Sequence, residues 1–317
     1  MSIASAQSVY QALKTIYQVM PFYIDRDGQW ADIELSQQVL GTGEPAASSN
    51  NNRWSDFANT DVFFPVLHGP YGEDGKVQGL LDMCNKKYVG SGVLASAVGM
   101  DKIMMKSTFA QAGLPQVRYL PLLLSQWHKY KDSWIEQIEL ELGYPCFVKP
   151  SNLGSSVGIS KVRHRQQLWS ALELAFSYDS RIIIEQGVSA REIECGVLGN
   201  ADISTSCVGE VTYTSDFYDY ETKYTAGRAS YIIPASIPET VKEAVQSMSI
   251  KAFQAIGGRG LARVDFFYLP DRATVLVNEI NTMPGFTSTS GYPKFWQYSG
   301  LDFPTLCDQL IQLALED

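Results

Sequence analysis

Four side chains near the end of the chain have the types and spacing of a cation site. Arg263 and Asp265 lie two apart in one apolar run, and Glu279 and Asn281 lie two apart in the next, with Pro270, Asp271 and Arg272 between the runs. Residues two apart on a strand share a face. A hairpin centred on Arg272 therefore sets Asp265 directly opposite Glu279. Like charges opposed across a ladder are destabilising unless a cation lies between them. Two carboxylates and an amide oxygen are hard donors that suit Mg²⁺, an ion that keeps several waters and binds a substrate's phosphates. A solvated hairpin face is the alternative, and the apolar residues of both runs argue for burial instead.

Other segments carry anion chemistry. Lys149 precedes a loop containing Gly154, Ser155, Ser156 and Gly158. The spacing is not that of a P-loop, which needs G-x-x-x-x-G-K-[ST] leading into a helix. Strand-like runs flank the loop, so it reads as a hairpin whose glycines and hydroxyl residues let backbone N–H groups approach an anion, with Lys149 as a point charge. A plain surface hairpin is the alternative. The Gly90, Gly92, Ala95 pattern matches a dinucleotide fingerprint in outline, but the acid expected ~20 positions later is missing: position 110 is alanine. It reads as a tight strand-to-helix turn. After Asn281, Gly285 and the hydroxyls up to Ser290 can place backbone donors on a developing oxyanion. The aromatic stretch around Lys223 and Tyr224 suits a lid that excludes water, or an ordinary loop. His68 closes a run at 61–67 that reads as a buried strand.

The elements that must position these residues follow from periodicity. Ile3, Ala6, Val9, Leu13 and Ile16 form one helical stripe. A short strand is expected at 21–24, a polar loop at 41–53 and a helix from about Gly75. Helices alternating with short apolar strands imply a parallel sheet, with ligands beyond the strands' C-terminal ends. Beyond about residue 140 the order is mixed. Strands are expected at 145–149, 158–162, 181–185, 192–198, 261–268 and 274–281, and helices at 166–176, 239–256 and 304–315. The expected fold class is an α/β N-terminal domain with a parallel sheet, followed by two α+β domains.

Composition narrows the function classes. The chain has 317 residues, 45% of them apolar and 19% charged, enough to bury several cores. With 25 basic against 34 acidic residues the net charge is −9, which argues against nucleic acid or an anionic membrane as a general partner. Anionic ligands must therefore be met by a few local cations. Five scattered cysteines with no C-x-x-C pair exclude a disulfide framework and fit a reducing, cytoplasmic setting. No run approaches the ~20 apolar residues of a membrane span.

These motifs in this order resemble the ATP-grasp enzymes, and within them the D-alanine–D-alanine ligase family. The resemblance runs from His68-Gly-Pro-Tyr-Gly-Glu-Asp-Gly75 through Gly90-Ser-Gly-Val-Leu-Ala-Ser96 with Met100-Asp-Lys102, and through Val148-Lys149-Pro-Ser with Gly154-Ser-Ser-Val-Gly158. It continues in Tyr218-Asp-Tyr-Glu-Thr-Lys-Tyr224, Arg263-Val-Asp265 and Asn278-Glu279-Ile-Asn281-Thr-Met-Pro-Gly-Phe-Thr-Ser288, spanning nearly the whole chain. It implies an N-terminal substrate domain at 1–94, a central ATP-grasp domain at 95–186 and a catalytic domain at 187–317. The implied reaction phosphorylates one D-alanine carboxylate with ATP, and the amine of a second D-alanine then attacks the acyl phosphate, giving a cell-wall precursor. The implied roles are ATP contacts for Lys102, Lys149, Glu185 and Glu192, and ligation of two Mg²⁺ ions (or Mn²⁺) by Asp265, Glu279 and Asn281. Arg263 and Gly285 are similar to the oxyanion groups, and His68 and Ser290 to those near the first and second substrate. Lys223 and Tyr224 match lid residues, with Ser155 beside Tyr224. The partners implied are small molecules, and a homodimer is compatible with the family.

The resemblance departs in one place. Family members carry a strand and a Gly-Gly-x-Ser-x-Glu turn ahead of the first helix, and this sequence opens at that helix. The expectation is a chain without that strand and without the glutamate that would meet the first D-alanine's ammonium. Three readings stand: a D-alanine–D-alanine ligase, a ligase taking D-lactate or D-serine second, and an ATP-binding protein with impaired catalysis. Ester-forming members tend to carry histidine where this chain has Tyr224, which favours the dipeptide.

Overall fold

Three large hydrophobic cores and a smaller cluster around Phe57, Leu81 and Tyr88 organise the described residues. The computed structural model describes residues 1–49, 53–154, 156–213, 229–287 and 289–316. In the first part, α1 (Ser2–Leu13) buries Val9, Ala12 and Leu13, the stripe its spacing predicts. Helix α2 (Ile33–Thr42) starts at Asp32, whose carboxylate accepts from Leu35 N–H, and stops at the left-handed Gly43. Helix α3 (Trp54–Ala58) is followed by β1 (Val62–Phe63), α4 (Lys76–Met83) and β2 (Lys87–Tyr88), with β1 and β2 parallel. This is the expected parallel sheet, but its strands are short. Of the strand expected over 61–67 only Val62 and Phe63 pair; Pro65 has no N–H to donate, and Phe64 and Val66 pack against a helical core instead. The strand expected at 21–24 is also absent. Only Ile24 pairs, with Trp30, across a turn held by the Asp25 carboxylate, while Phe22 enters a ring cluster with Trp30, Phe57 and Phe63.

Helices α5 (Val93–Met100) and α6 (Lys102–Gln111) come next, α6 capped by Asp101. The second body contains β3 (Tyr119–Leu123), α7 (Leu124–Lys129), α8 (Lys131–Glu141), β4 (Cys146–Pro150), β5 (Ser160–Val162), α9 (Arg165–Phe176) and β6 (Arg181–Gln186). Its four strands run antiparallel in the order β3-β6-β4-β5. Val148, Ile182 and Ile184 face a core shared with Trp127, Ile138, Leu168 and Leu172. Period-2 alternation sends Phe147, Lys149 and Glu185 to the other face.

The third body holds β7 (Arg191–Gly199), β8 (Ile203–Tyr213), β9 (Ala229–Ile232), α10 (Glu239–Ala255), β10 (Gly260–Leu269) and β11 (Thr274–Asn281). Its antiparallel sheet has the order β11-β10-β7-β8-β9. One face packs on α10 through Val245 and Phe253, and receives Ala95, Met105, Phe109 and Leu114. Residues 95–114, grouped with the central domain by the sequence division, thus contribute side chains to this core. Helices α11 (Gly291–Tyr298) and α12 (Phe303–Leu315) complete the chain, joining α1 in the third core through Val9, Leu13, Tyr292, Trp296, Leu306 and Leu310. The five cysteines are all free thiols. Among the described residues no helix is long and apolar enough to cross a membrane.

Candidate active site

The cation-site residues sit on the face of the five-stranded sheet opposite α10. Asp265 pairs with Glu279 across β10 and β11, as the symmetric hairpin predicts, but for a different reason. Near the turn, Leu269 pairs with Thr274 and Phe266 with Val277, a register that continued unbroken would set Asp265 against Asn278. A bulge after Asp265 shifts the pairing by one residue and turns Glu279 and Asn281 to the same face as Asp265. Asp265 also pairs with Glu194 on the other side, so three carboxylates stand in a row across β7, β10 and β11.

Arg263 answers part of that charge. Its Nε and Nη2 each donate to an Asp265 oxygen at 2.7 Å, and Nε lies 3.2 Å from Glu194 Oε2. Burial works to lower the guanidinium's pKa, but Asp265 and Glu194 outweigh it and hold it well above the ordinary value. Glu279 also attracts Lys106 and Lys149 across the cleft. The donors on offer, two opposed carboxylates and the Asn281 amide, suit a hard divalent cation. Asn281 Nδ2 donates to Asp265 Oδ2 at 3.2 Å, and a half-turn of that amide presents its oxygen there. Among the described residues no three His, Cys, Asp or Glu side chains already converge as a metal-binding group. The set fits an ion that retains water or phosphate ligands, and does not form a closed protein cage.

Across the cleft, whose volume is about 1750 Å³, stands the cationic side. Lys149 Nζ donates to Glu185 Oε2 at 2.6 Å, and Lys106 Nζ lies 3.3 Å from Oε1. Burial alone would raise the Glu185 carboxyl, but the two lysines overcome it and hold the pKa at about 2. Burial likewise opposes the Lys149 charge, and Glu185 restores it and raises that lysine's pKa. For Lys106, buried deepest, burial wins and its pKa falls. Glu192 accepts from Tyr213 Oη at 2.7 Å and lines the same cleft.

The loop after β4 is tied down at its start. Asp101 accepts from Ser151 Oγ at 2.8 Å and from Arg181 Nη1 at 2.6 Å; Lys102 N–H donates to the Ser151 carbonyl at 3.0 Å and Lys102 Nζ to that of Leu153. Gly158 has φ +71°, and a Cβ there would lie 2.8 Å from Pro150 and Tyr178, so this turn requires glycine. At Gly285 a Cβ would come within 2.9 Å of Ser290 Oγ. Ser290 itself precedes α11, where its Oγ accepts from Thr287 N–H at 3.1 Å. His68 lies at the cleft's edge with its ring fixed: Nδ1 donates to the Met283 carbonyl at 3.2 Å, so Nε2 accepts from Ser5 Oγ at 2.8 Å.

Lining this one cleft are His68, Lys102, Lys149, Glu185, Glu192, Arg263, Asp265, Glu279, Asn281, Gly285 and Ser290. Ser155, Lys223 and Tyr224 lie outside the described residues. Sequence reasoning overlooked Glu194, Lys106 and Arg181. Glu194 was within reach, two residues from Glu192 on one strand. Lys106 follows Lys102 by one helical turn and needed α6 to be recognised first.

The Glu185 geometry predicts an acid response. A depressed pKa in the folded state contributes stability above the unfolded value of ~4.3, lost as pH falls through about 2. In urea unfolding across that window, the stability gap between wild type and Glu185→Gln should shrink as the pH drops. A constant gap contradicts the ion-pair account.

Two α+β bodies presenting lysines and carboxylates to each other across a shared cleft are the build of an ATP-grasp enzyme, and that is the class this protein falls in. Residues 1–91 match the family described as D-ala D-ala ligase N-terminus, and residues 108–312 match D-ala D-ala ligase C-terminus. A D-alanine–D-alanine ligase of Synechococcus sp. (strain RCC307) is 47% identical over 323 residues, covering 99% of this chain and 93% of that protein. Among solved structures, the D-alanine–D-alanine ligase of Coxiella burnetii superposes with TM-score 0.81 at 33% identity, covering 99% of this chain and 89% of that one. The VanG D-Ala:D-Ser ligase of Enterococcus faecalis gives 0.83 at 32% identity, covering 98% and 94%. The chain belongs to the D-alanine–D-alanine ligase family.

Proposed function

We propose that this protein joins two D-alanine molecules at the expense of ATP, making D-alanyl-D-alanine for peptidoglycan synthesis. The observation that carries the reading is the carboxylate row Glu194–Asp265–Glu279 facing Lys149 across the cleft, with His68 bonded to the Met283 carbonyl on the same cleft. In the first step the γ-phosphoryl of ATP passes to a carboxylate oxygen of the first D-alanine, leaving ADP and an acyl phosphate. In the second, the neutral amine of the other D-alanine attacks the acyl carbon, a tetrahedral oxyanion forms, and inorganic phosphate leaves as the amide is made.

Lys102 and Lys149 bind the phosphates, and Glu185 and Glu192 flank the nucleoside. Asp265, Glu279 and Asn281 would hold Mg²⁺ (two ions, or Mn²⁺), which supplies neutralisation of phosphate charge. Arg263 and the Gly285 backbone N–H meet the oxyanion. His68, held by Ser5 and Met283, orients the first substrate. Ser290, at the N-terminus of α11, receives the second substrate's carboxylate, where the helix dipole favours an anion. By the family resemblance, lid roles fall to Lys223, Tyr224 and Ser155.

One structural relative is a D-Ala:D-Ser ligase, so the second substrate is the finer question. Tyr224 is a neutral phenol near pH 7 and adds no cation to favour an anionic hydroxy acid. The expected product is therefore the dipeptide, with D-lactate a poor acceptor. Chromatography of reactions offering D-alanine, D-serine and D-lactate in competition tests this. Mainly depsipeptide at neutral pH, or no D-alanine-dependent ADP release at all, overturns it.

A further inference from the structure

Lys106 has no role in the reaction just described, yet it is only 1% exposed. Its ammonium starts from α6, which packs into the core of the five-stranded sheet, and reaches across to Glu185 on β6 of the other body. It lies 3.3 Å from Oε1, while Lys149 holds Oε2 at 2.6 Å. Lys106 Nζ has no hydrogen bond of ordinary geometry, and its closest ring, Tyr119, is centred 5.7 Å away. Gln116 Nε2 donates to the Lys106 carbonyl at 2.9 Å and fixes the helix at that point.

A buried ammonium is costly unless it is paired, so a lysine that only filled space would be better as leucine or methionine. Here one carboxylate holds two cations at contact distance, with Glu279 and Glu192 as weaker, more distant negative charges. The two are unequal: the Lys149 side chain is 13% exposed and lines the cleft, whereas that of Lys106 is 1% exposed. Only Lys149 has somewhere else to go.

We propose that Lys106 is the standing counter-ion of Glu185, so that Lys149 can leave that carboxylate for the phosphates of an incoming nucleotide without stranding a buried negative charge. The proposal rests on the ATP-site reading above. It makes Lys106 a positioning residue: it acts through Glu185 and Lys149 and touches no substrate. After the exchange the Lys106–Glu185 pair still joins the two bodies.

The test is calorimetry of Mg²⁺·ATP binding, without D-alanine, to the wild type, Lys106→Met, Glu185→Gln and the double variant. Without Lys106, Glu185 retains Lys149, and ATP should bind about tenfold or more weakly. In the Glu185→Gln background the carboxylate that holds Lys149 at contact distance is gone, and the same replacement should change Kd by less than about twofold. The KM for D-alanine should stay put in variants that turn over. Wild-type affinity in Lys106→Met overturns the proposal. So does an equal loss in both backgrounds, which would mean that Lys106 meets the nucleotide itself. Should Lys106→Met fail to fold, Lys106→Gln takes its place in the same comparison, where a loss confined to the protein that keeps Glu185 supports the proposal and wild-type affinity overturns it. If the wild type binds no ATP, the site reading itself falls and this proposal with it, an outcome distinct from failure of the Lys106 role.

Discussion

Replacing Arg263 with methionine is expected to lower kcat by about 10²–10³-fold and to destabilise the fold at the same time. The two effects have separate causes. Loss of a donor aimed at the oxyanion removes stabilisation realised only in the transition state, so kcat falls while the KM for ATP stays close to wild type. The stability loss comes from what Arg263 leaves behind. Asp265 loses both of its 2.7 Å bonds, and Glu194 loses a cation at 3.2 Å, with each carboxylate facing the other across β7 and β10. Removing one partner of a buried ion pair costs about 3–5 kcal/mol, much of it the stranded charge. Stopped-time ADP assays and urea unfolding measure the two effects independently. A variant with intact stability would show that Arg263 does not hold this row together, and intact kcat would remove it from the oxyanion site.

Glu279→Gln should give a different pairing of effects. Gln keeps the volume and an amide oxygen but removes one of three aligned negative charges. Repulsion across the ladder is thereby relieved, but the attraction of Glu279 to Lys106 and Lys149 is lost with it, so thermal stability should change little. Turnover should nevertheless fall by about 10²-fold or more, because the carboxylate that would bind the metal is gone, and the Mg²⁺ concentration for half-maximal rate should increase. Titrating Mg²⁺ in steady-state assays, alongside a thermal melt, reads both. Near wild-type rates at limiting Mg²⁺ would remove Glu279 from the cation site. A much lower melting temperature would mean that the attraction to Lys106 and Lys149 outweighs the repulsion across the ladder.

The contrast between these variants follows from one bulge. Had the hairpin kept its turn-proximal register, Asp265 would face Asn278 and the Glu279 side chain would point into the apolar core with Val264 and Val277. The sequence predicted the right pair from a symmetric loop, but the actual connection is a 3₁₀ turn at Pro270–Arg272 closed by the left-handed Ala273, with the compensating residue placed inside the strand. Asn278 absorbs the shift. The pairing was legible, and the device that produces it was not.

What could be determined from the sequence alone was local in origin. The alternation of β10 and β11 placed Arg263, Asp265, Glu279 and Asn281 on one face, because period two is a property of a single strand. The long helix Glu239–Ala255, the hairpin between β4 and β5 and the glycine at 158 follow from side-chain spacing and backbone freedom in the same way. What only the tertiary structure decided involves partners far apart in the chain. The strands expected at 21–24 and 61–67 shrank because their apolar residues found ring and helix contacts in place of ladder partners. The strand Ile203–Tyr213 escaped sequence reading because Ser204 and Ser206 break its apolar pattern; their hydroxyls are satisfied by Leu198, Cys207 and Gly196 backbone groups once β7 and the strand meet. Glu194 joins Asp265 and Glu279 only when β7 pairs with β10, and Lys106 meets Glu185 only when α6 from one body packs beside β6 of another. Charge interactions depend on distance through space, and separation along the chain carries no information about that distance until the sheets have formed.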